Sequence, residues 1–226
     1  MKTIPLYVFL LVLFGACNTL KYTSTTQKAL PELGTIGVFK EFALHHSYEG
    51  KSVVLLDQPL RLQWREMKIT ERNLFKKSDS SARKVDSTLL VIEVLDKLGL
   101  AQQLNQNTAS LEFLKKAEDC QIITGLTLFY AEEILHTFRE ADEAYLIQNK
   151  EKTLSIELRR ENNYLATVEF ASGEIKSIEK SSFCWGQNKR RDIVIFDLVP
   201  SGSSCTNDTY RTARQAKKKN EFKFFK

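Results

Sequence analysis

Histidine is the first side chain to consider for chemistry near neutral pH, because an imidazole can bind a metal ion or transfer a proton. The chain has the adjacent pair His45 and His46, and His136 far from them in sequence. Neighbouring residues of a strand point to opposite sides of a sheet, so His45 and His46 are poorly placed to bind one ion together. The histidines also lack the close ligand spacing that is typical of zinc sites. The sequence therefore predicts no metal site.

Serine and carboxylate clusters are the other candidates for catalysis. Residues 201–204 read Ser-Gly-Ser-Ser, and they lack the Gly-x-Ser-x-Gly pattern that presents a nucleophilic hydroxyl, so they predict a turn. The carboxylates at residues 132–133 and 140–143 have the chemistry of an acid and a base, but charges at these spacings are typical of a solvated face. No glycine-rich phosphate loop or dinucleotide fingerprint is present, and we expect no cofactor.

The strongest local signal is at the N-terminus. An apolar run covers residues 4–14, and Gly15, Ala16 and Cys17 follow it at once. The run is too short to cross a bilayer as a permanent helix, and small residues before a cysteine leave room for a peptidase. This arrangement resembles the signal peptide of bacterial lipoproteins, in which a short lipobox ends at the lipidated cysteine.

The resemblance implies a membrane anchor. Cys17 would carry a diacylglyceryl thioether, and cleavage after Ala16 would make this cysteine the first residue of the mature chain. Two or three acyl chains, at roughly 0.8 kcal/mol for each buried methylene, would hold the protein on a membrane. Asn18 stands where an Asp often retains lipoproteins at the inner membrane, so it favours the outer membrane of the bacterial envelope. An ordinary cleaved signal, or a buried strand that ends in Cys, is the alternative.

The remaining sequence divides by composition after the predicted signal peptide of residues 1–16. Residues 17–31 begin at the predicted lipidated cysteine and are rich in Thr, Ser, Lys and Gln with few large apolar side chains, so we interpret them as a tether. Residues 32–210 have the length of one domain. The chain is 42% hydrophobic and 27% charged, which is ordinary for a globular protein. Residues 211–226 form a basic tail.

Periodic patterns predict an α+β domain. Apolar residues at helical spacing indicate a helix, and enrichment in β-branched residues indicates a strand. Strands are predicted at residues 35–42, 52–56, 60–69 and 121–130, a strand that runs into a helix at 87–104, and helices at 108–118 and 131–141. Five short segments between residues 144 and 199, separated by turn signals, predict a C-terminal antiparallel meander. The expected fold is an antiparallel sheet with two to three helices packed on it.

The cysteines predict one disulfide. With Cys17 assigned to lipid, three cysteines remain in an oxidising compartment, and this count favours one bridge and one free thiol. Cys184 and Cys205 flank the predicted strand at residues 193–199 in surroundings typical of loops, so we pair them. Cys120 precedes an apolar segment and has no base close in sequence, which favours a buried small hydrophobe over a nucleophile.

The C-terminal tail holds most of the positive charge. Residues 211–226 carry seven basic residues and one acidic residue, whereas the whole chain has a net charge of +5. Such a tail is typical of a segment that binds anionic lipid, lipopolysaccharide or an envelope glycan. The residues expected to bind are Lys217, Lys218, Lys219, Lys223 and Lys226. A solvated end, or a tail docked on the domain through Phe222 and Phe225, is the alternative. The predicted export argues against nucleic acid as a partner.

Two functions remain compatible with these observations. The first is a non-enzymatic envelope lipoprotein, in which the domain binds a protein or an anionic partner or acts as an accessory module. The second is a surface-held hydrolase whose catalytic residues come together only in the fold. Because the sequence contains no catalytic constellation, we favour the first.

Overall fold

A computed structural model describes residues 31–42, 45–70, 86–206 and 208–223. The predicted signal peptide, Cys17 and nearly all of the predicted tether lie outside the described residues. Among the helices of the described part, none is long and apolar enough to cross a membrane. The folded part is broadly α+β and consists mostly of antiparallel sheet, which curls into a half-barrel.

The sheet contains ten strands in the described part of the chain. They are β1 (Thr35–Phe42), β2 (His45–Val53), β3 (Leu60–Thr70), β4 (Asp86–Val94), β5 (Gln121–Phe129), β6 (Glu143–Gln148), β7 (Leu154–Arg160), β8 (Asn163–Glu169), β9 (Glu174–Gln187) and β10 (Ile193–Pro200). Their order across the sheet is β10-β9-β5-β4-β3-β6-β7-β8, and β1 pairs with both β2 and β5. The predicted α+β fold class is confirmed in this broad form, and the sheet makes up the larger part of the fold.

Four helices are described, and short polar side chains begin the first two of them. They are α1 (Lys97–Gln106), α2 (Thr108–Lys116), α3 (Glu132–Glu140) and α4 (Ala213–Lys223). The Asp96 carboxylate accepts a hydrogen bond from the Gly99 amide at 2.7 Å, and the Asn107 side chain accepts one from the Ser110 amide at 2.9 Å. Each bond satisfies an amide that has no partner within the first turn.

The core lies where the central strands meet the helices. In β3, Leu60 and Leu62 are buried whereas Arg61 between them is exposed, the alternation expected of a strand with one apolar face. In β5, seven consecutive residues are buried, so this strand is covered on both faces. Phe138 of α3 is 1% exposed and packs against the core. Burial on both faces agrees with the interior position of β5, between β9 and β4.

The predicted meander is interrupted once, between β8 and β9. β6, β7 and β8 pair in sequence order, as adjacent hairpins do. β9 instead crosses the sheet and pairs with β5 on one side and β10 on the other. Ile175 and Ile178 of β9 lie opposite Leu128 and Leu126 of β5. Central strand β5 thereby gains the neighbour that its backbone requires.

Asn105 of α1 covers the outer edge of β10. Its side-chain oxygen accepts a hydrogen bond from the Ile195 amide at 2.9 Å, and its side-chain nitrogen donates one to the Ile195 carbonyl at 2.7 Å. One amide group thus replaces the pair of bonds that another strand would supply at Ile195. Such coverage removes an open site for strand pairing.

Candidate anion-binding groove

The basic C-terminal segment is a helix that packs on the sheet. Thr212 begins α4, because its hydroxyl oxygen accepts a hydrogen bond from the Gln215 amide and its carbonyl accepts one from the Ala216 amide, each at 3.2 Å. Ala213 and Ala216 are buried, and α4 contacts β9 and β10. Residues three apart share one helix face. Two small side chains therefore form the face that docks α4 on the domain.

Two links attach the chain before α4 to β9. Cys184 and Cys205 form a disulfide with a Cα–Cα distance of 5.6 Å, which confirms the predicted pairing. At the next residue, Trp185 and Tyr210 exchange two backbone hydrogen bonds of 2.7 and 2.8 Å. Trp185 is 3% exposed. A covalent bond and a buried strand-like pair thus fix where α4 starts.

The outer side of this helix helps to form a groove of about 430 Å³. Arg214 and Lys217 of α4 line it together with Lys115 of α2. Ile193 and Ala213 add apolar surface, and Glu112 and Asp192 are its acidic side chains. We call these residues the basic groove. Its three cations come from two helices about a hundred residues apart in the sequence.

Both acidic side chains of the basic groove are already engaged. Glu112 accepts a hydrogen bond from Lys115 at 2.8 Å, and this bond lowers the pKa of the Glu112 carboxyl. Asp192 accepts one from the Asn188 side chain at 3.1 Å. The side chains of Arg214 and Lys217 make no hydrogen bond or ion pair within the described residues. Two cations are therefore available to an added anion.

A basic turn lies directly beside the groove, between β9 and Asp192. The Asn188 side-chain oxygen accepts hydrogen bonds from the Arg190 and Asp192 amides, both at 2.9 Å. Arg191 has a positive φ of 69°, a conformation that the tight turn requires. Lys189 and Arg190 are exposed at its tip, so they add positive charge next to the groove.

The turn between β6 and β7 has the same design with different charges. The Asn149 side-chain oxygen accepts hydrogen bonds from the Glu151 amide at 3.0 Å and the Thr153 amide at 2.9 Å. Lys152 has a positive φ of 64°, as Arg191 has in the other turn. Lys150 and Lys152 are exposed. This turn does not line the groove, and it offers a matched control for charge changes.

The lysines that were predicted to bind an anionic surface do not all lie at the groove or within the described residues. Lys217 lines the basic groove, and Lys218 is exposed beside it on α4. The side chains of Lys219, Lys223 and Lys226 lie outside the described part of the chain. Sequence reasoning missed Lys115, Arg214 and the turn with Lys189 and Arg190. The run Lys-Arg-Arg at residues 189–191 was the available signal, whereas nothing local links Lys115 to α4.

The residues considered for catalysis lie in separate surroundings. His136 is exposed on α3, with Nδ1 3.7 Å from Glu140 Oε1 one turn later. The Ser201 hydroxyl accepts a hydrogen bond from the Gln121 side chain at 2.8 Å. Cys120 is a buried free thiol, and burial raises its pKa, which disfavours the nucleophilic thiolate. The side chains of His45 and His46 lie outside the described residues. In the ranges that the structure describes, no cluster of His, Cys, Asp and Glu could hold a metal.

The geometry of the basic groove suits an oxyanion. A guanidinium presents paired donors to phosphate or carboxylate, and an ammonium acts as a compact positive charge. No family model, no curated protein and no solved structure matches this chain. The function must therefore be argued from the site itself.

Proposed function

We propose that this chain is a lipid-anchored protein of the bacterial cell envelope, and that its domain is a non-enzymatic module that binds anionic groups of that envelope. The observation that carries the binding role is the basic groove, where Arg214 and Lys217 meet Lys115 of another helix. The lipobox-like residues before Cys17 support the anchor, and Asn18 favours the outer membrane.

The distribution of charge supports an anionic partner over a neutral one. Lys218, Lys189 and Arg190 extend the positive surface beyond the groove, and all three are exposed. Cations near an anionic surface contribute about 1 kcal/mol each, and salt screens the effect. Lipid phosphates, lipopolysaccharide or an acidic glycan all present such a surface. A surface-held hydrolase, in contrast, needs catalytic groups that meet, whereas His136 lies beside Glu140 and the Ser201 hydroxyl bonds to Gln121.

Vesicle binding tests the groove, with the unlipidated Cys17→Ser protein as the starting point so that an acyl chain does not dominate. Arg214→Gln with Lys217→Gln removes the two available cations. We expect binding to phosphatidylglycerol vesicles to weaken about 30-fold, from about 1 kcal/mol per cation, with little binding to phosphatidylcholine.

The matched control is Lys150→Gln with Lys152→Gln. It removes the same amount of positive charge from the Asn149 turn, which does not line the groove. Equal weakening by both double variants would show that net charge, and not the groove, attracts the vesicle. Intact mass of the wild-type protein expressed in bacteria tests the anchor separately. Added acyl mass on a chain that begins at Cys17 is expected, and its absence would contradict the lipoprotein assignment.

A further inference from the structure

A second pocket, of about 240 Å³, lies where the start of α1 meets β5, β9 and the end of β10. Thr124 and Ser181 line it with Lys97 and Lys180, and Glu179, Pro200 and Ser201 complete the lining. We call it the hydroxyl pocket. It shares no residue with the basic groove.

A bulge in β5 brings Thr124 into this pocket. The register pairs Ile123 with Lys180 and Gly125 with Glu179, so Thr124 is an extra residue opposite no partner. A bulge turns the side chain of the extra residue away from the regular alternation. The Thr124 hydroxyl consequently lies 2.7 Å from the Ser181 hydroxyl, and the two residues are 4% and 1% exposed.

Counting protons shows that this buried pair is incomplete. Two hydroxyls carry two protons, and the bond between Thr124 and Ser181 uses one of them. Among the described residues, no acceptor takes the second proton. A buried donor without an acceptor is unfavourable, so the pair is expected to donate to something that enters the pocket.

The charges around the hydroxyl pair favour an anionic acceptor. Lys97 is half-buried, and its side-chain ammonium has no hydrogen-bond or ion-pair partner within the described residues. The Lys180 ammonium lies 4.6 Å from the centre of the Phe39 ring. Glu179 is the acidic side chain of the pocket, and it is exposed. The pocket is therefore lined by two ammonium groups and a buried hydroxyl donor, against a single carboxylate.

We propose that the hydroxyl pocket binds a small oxyanion, a phosphate or a carboxylate, whose oxygens accept from the Thr124–Ser181 pair and from Lys97. The volume of about 240 Å³ admits a single such group with a few attached atoms. The site is independent of the lipid anchor and of the basic groove, so each can fail without the other.

Titration of the full chain, labelled with nitrogen-15, tests this site. Inorganic phosphate is added at constant ionic strength, and the amide signals of Gly125 and Ser181 are followed. We expect saturable shifts in the millimolar range. A parallel titration with acetate separates the two sources of oxyanion, because saturation by acetate alone assigns a carboxylate ligand. Shifts that rise linearly without saturation for both anions would overturn the proposal and leave a resident water as the partner of the hydroxyl pair.

Variants distinguish a binding site from a structural hydrogen bond. Lys97→Gln is expected to lower the affinity for the bound anion about tenfold, because a charge-assisted hydrogen bond is lost. Thr124→Val with Ser181→Ala should weaken it similarly while leaving the urea midpoint unchanged or raised, because both partners of the buried bond are removed together. Lys150→Gln should change nothing. Wild-type affinity in Lys97→Gln, which does not disturb the core, would refute the assignment.

Discussion

Removal of the Cys184–Cys205 disulfide should destabilise the protein by a predictable amount. The two cysteines are 21 residues apart, and loop-closure entropy for a loop of this size gives about 3 kcal/mol. Cys205→Ala is the better substitution, because Cys184 is 0% exposed and can remain in place as a buried thiol. A loss of this size is large against the usual stability of a domain, about 5–15 kcal/mol.

Urea unfolding of the oxidised full chain measures the effect. Wild type in dithiothreitol should unfold with the same free energy as Cys205→Ala, since both lack the bridge. Cys120→Ala is the control, because that thiol is free. This variant should lose only the packing of one sulfur atom and should still respond to dithiothreitol.

Two results would refute the reasoning. A loss below about 1 kcal/mol in Cys205→Ala would mean that residual structure already restricts the unfolded chain, so that the bridge removes little of its entropy. Insensitivity of Cys120→Ala to dithiothreitol would mean that the stabilising bridge involves Cys120, contrary to the observed pairing.

Three further predictions concern the core and its edge, and all are measured by urea unfolding. Asn105→Ala should cost about 1–3 kcal/mol, because the Ile195 amide and carbonyl both lose their partner; an unchanged midpoint would show that water replaces the side chain. Phe138→Ala should cost about 3–5 kcal/mol through the cavity left beside Trp64 and Tyr130, and a loss under about 1 kcal/mol would show that the site collapses without a cavity. Burial raises the pKa of Tyr130, so the unfolded chain loses this proton first above about pH 10 and stability falls as the pH rises. Tyr130→Phe should reduce that decline, and an identical slope would contradict it.

Local patterns predicted most elements but not their neighbours. The patterns at residues 35–42 and from Leu60 were sufficient to predict β1 and β3, because apolar residues recur there with period two. β2 was predicted only near its end, since His-His-Ser-Tyr-Glu-Gly-Lys-Ser-Val shows no such alternation. The crossing of β9 to β5 depends on pairing between residues at least 45 positions apart, and no local pattern encodes that choice.

The candidate site shows the same division between local and long-range information. The basic tail was visible in the composition, and the disulfide followed from the cysteine count. The predicted loop-like surroundings of Cys184 were wrong, because this residue lies buried inside β9. The tail is a helix that docks through two buried alanines, Ala213 and Ala216. Two alanines among so many lysines are too weak a pattern to predict this docking from the sequence. The convergence of Lys115 with Arg214 arises only when both helices pack near β10.

The two Asn-stabilised turns imply that surface charge in this protein can evolve independently of its fold. In each turn the asparagine and one residue with positive φ set the backbone, while the remaining tip side chains are exposed. Lysine, arginine or glutamate is therefore accepted at the tip with little effect on stability. Successive substitutions at residues 189 and 190 could retune the electrostatic potential next to the groove, so related chains are free to diverge in the anions they select while keeping one scaffold.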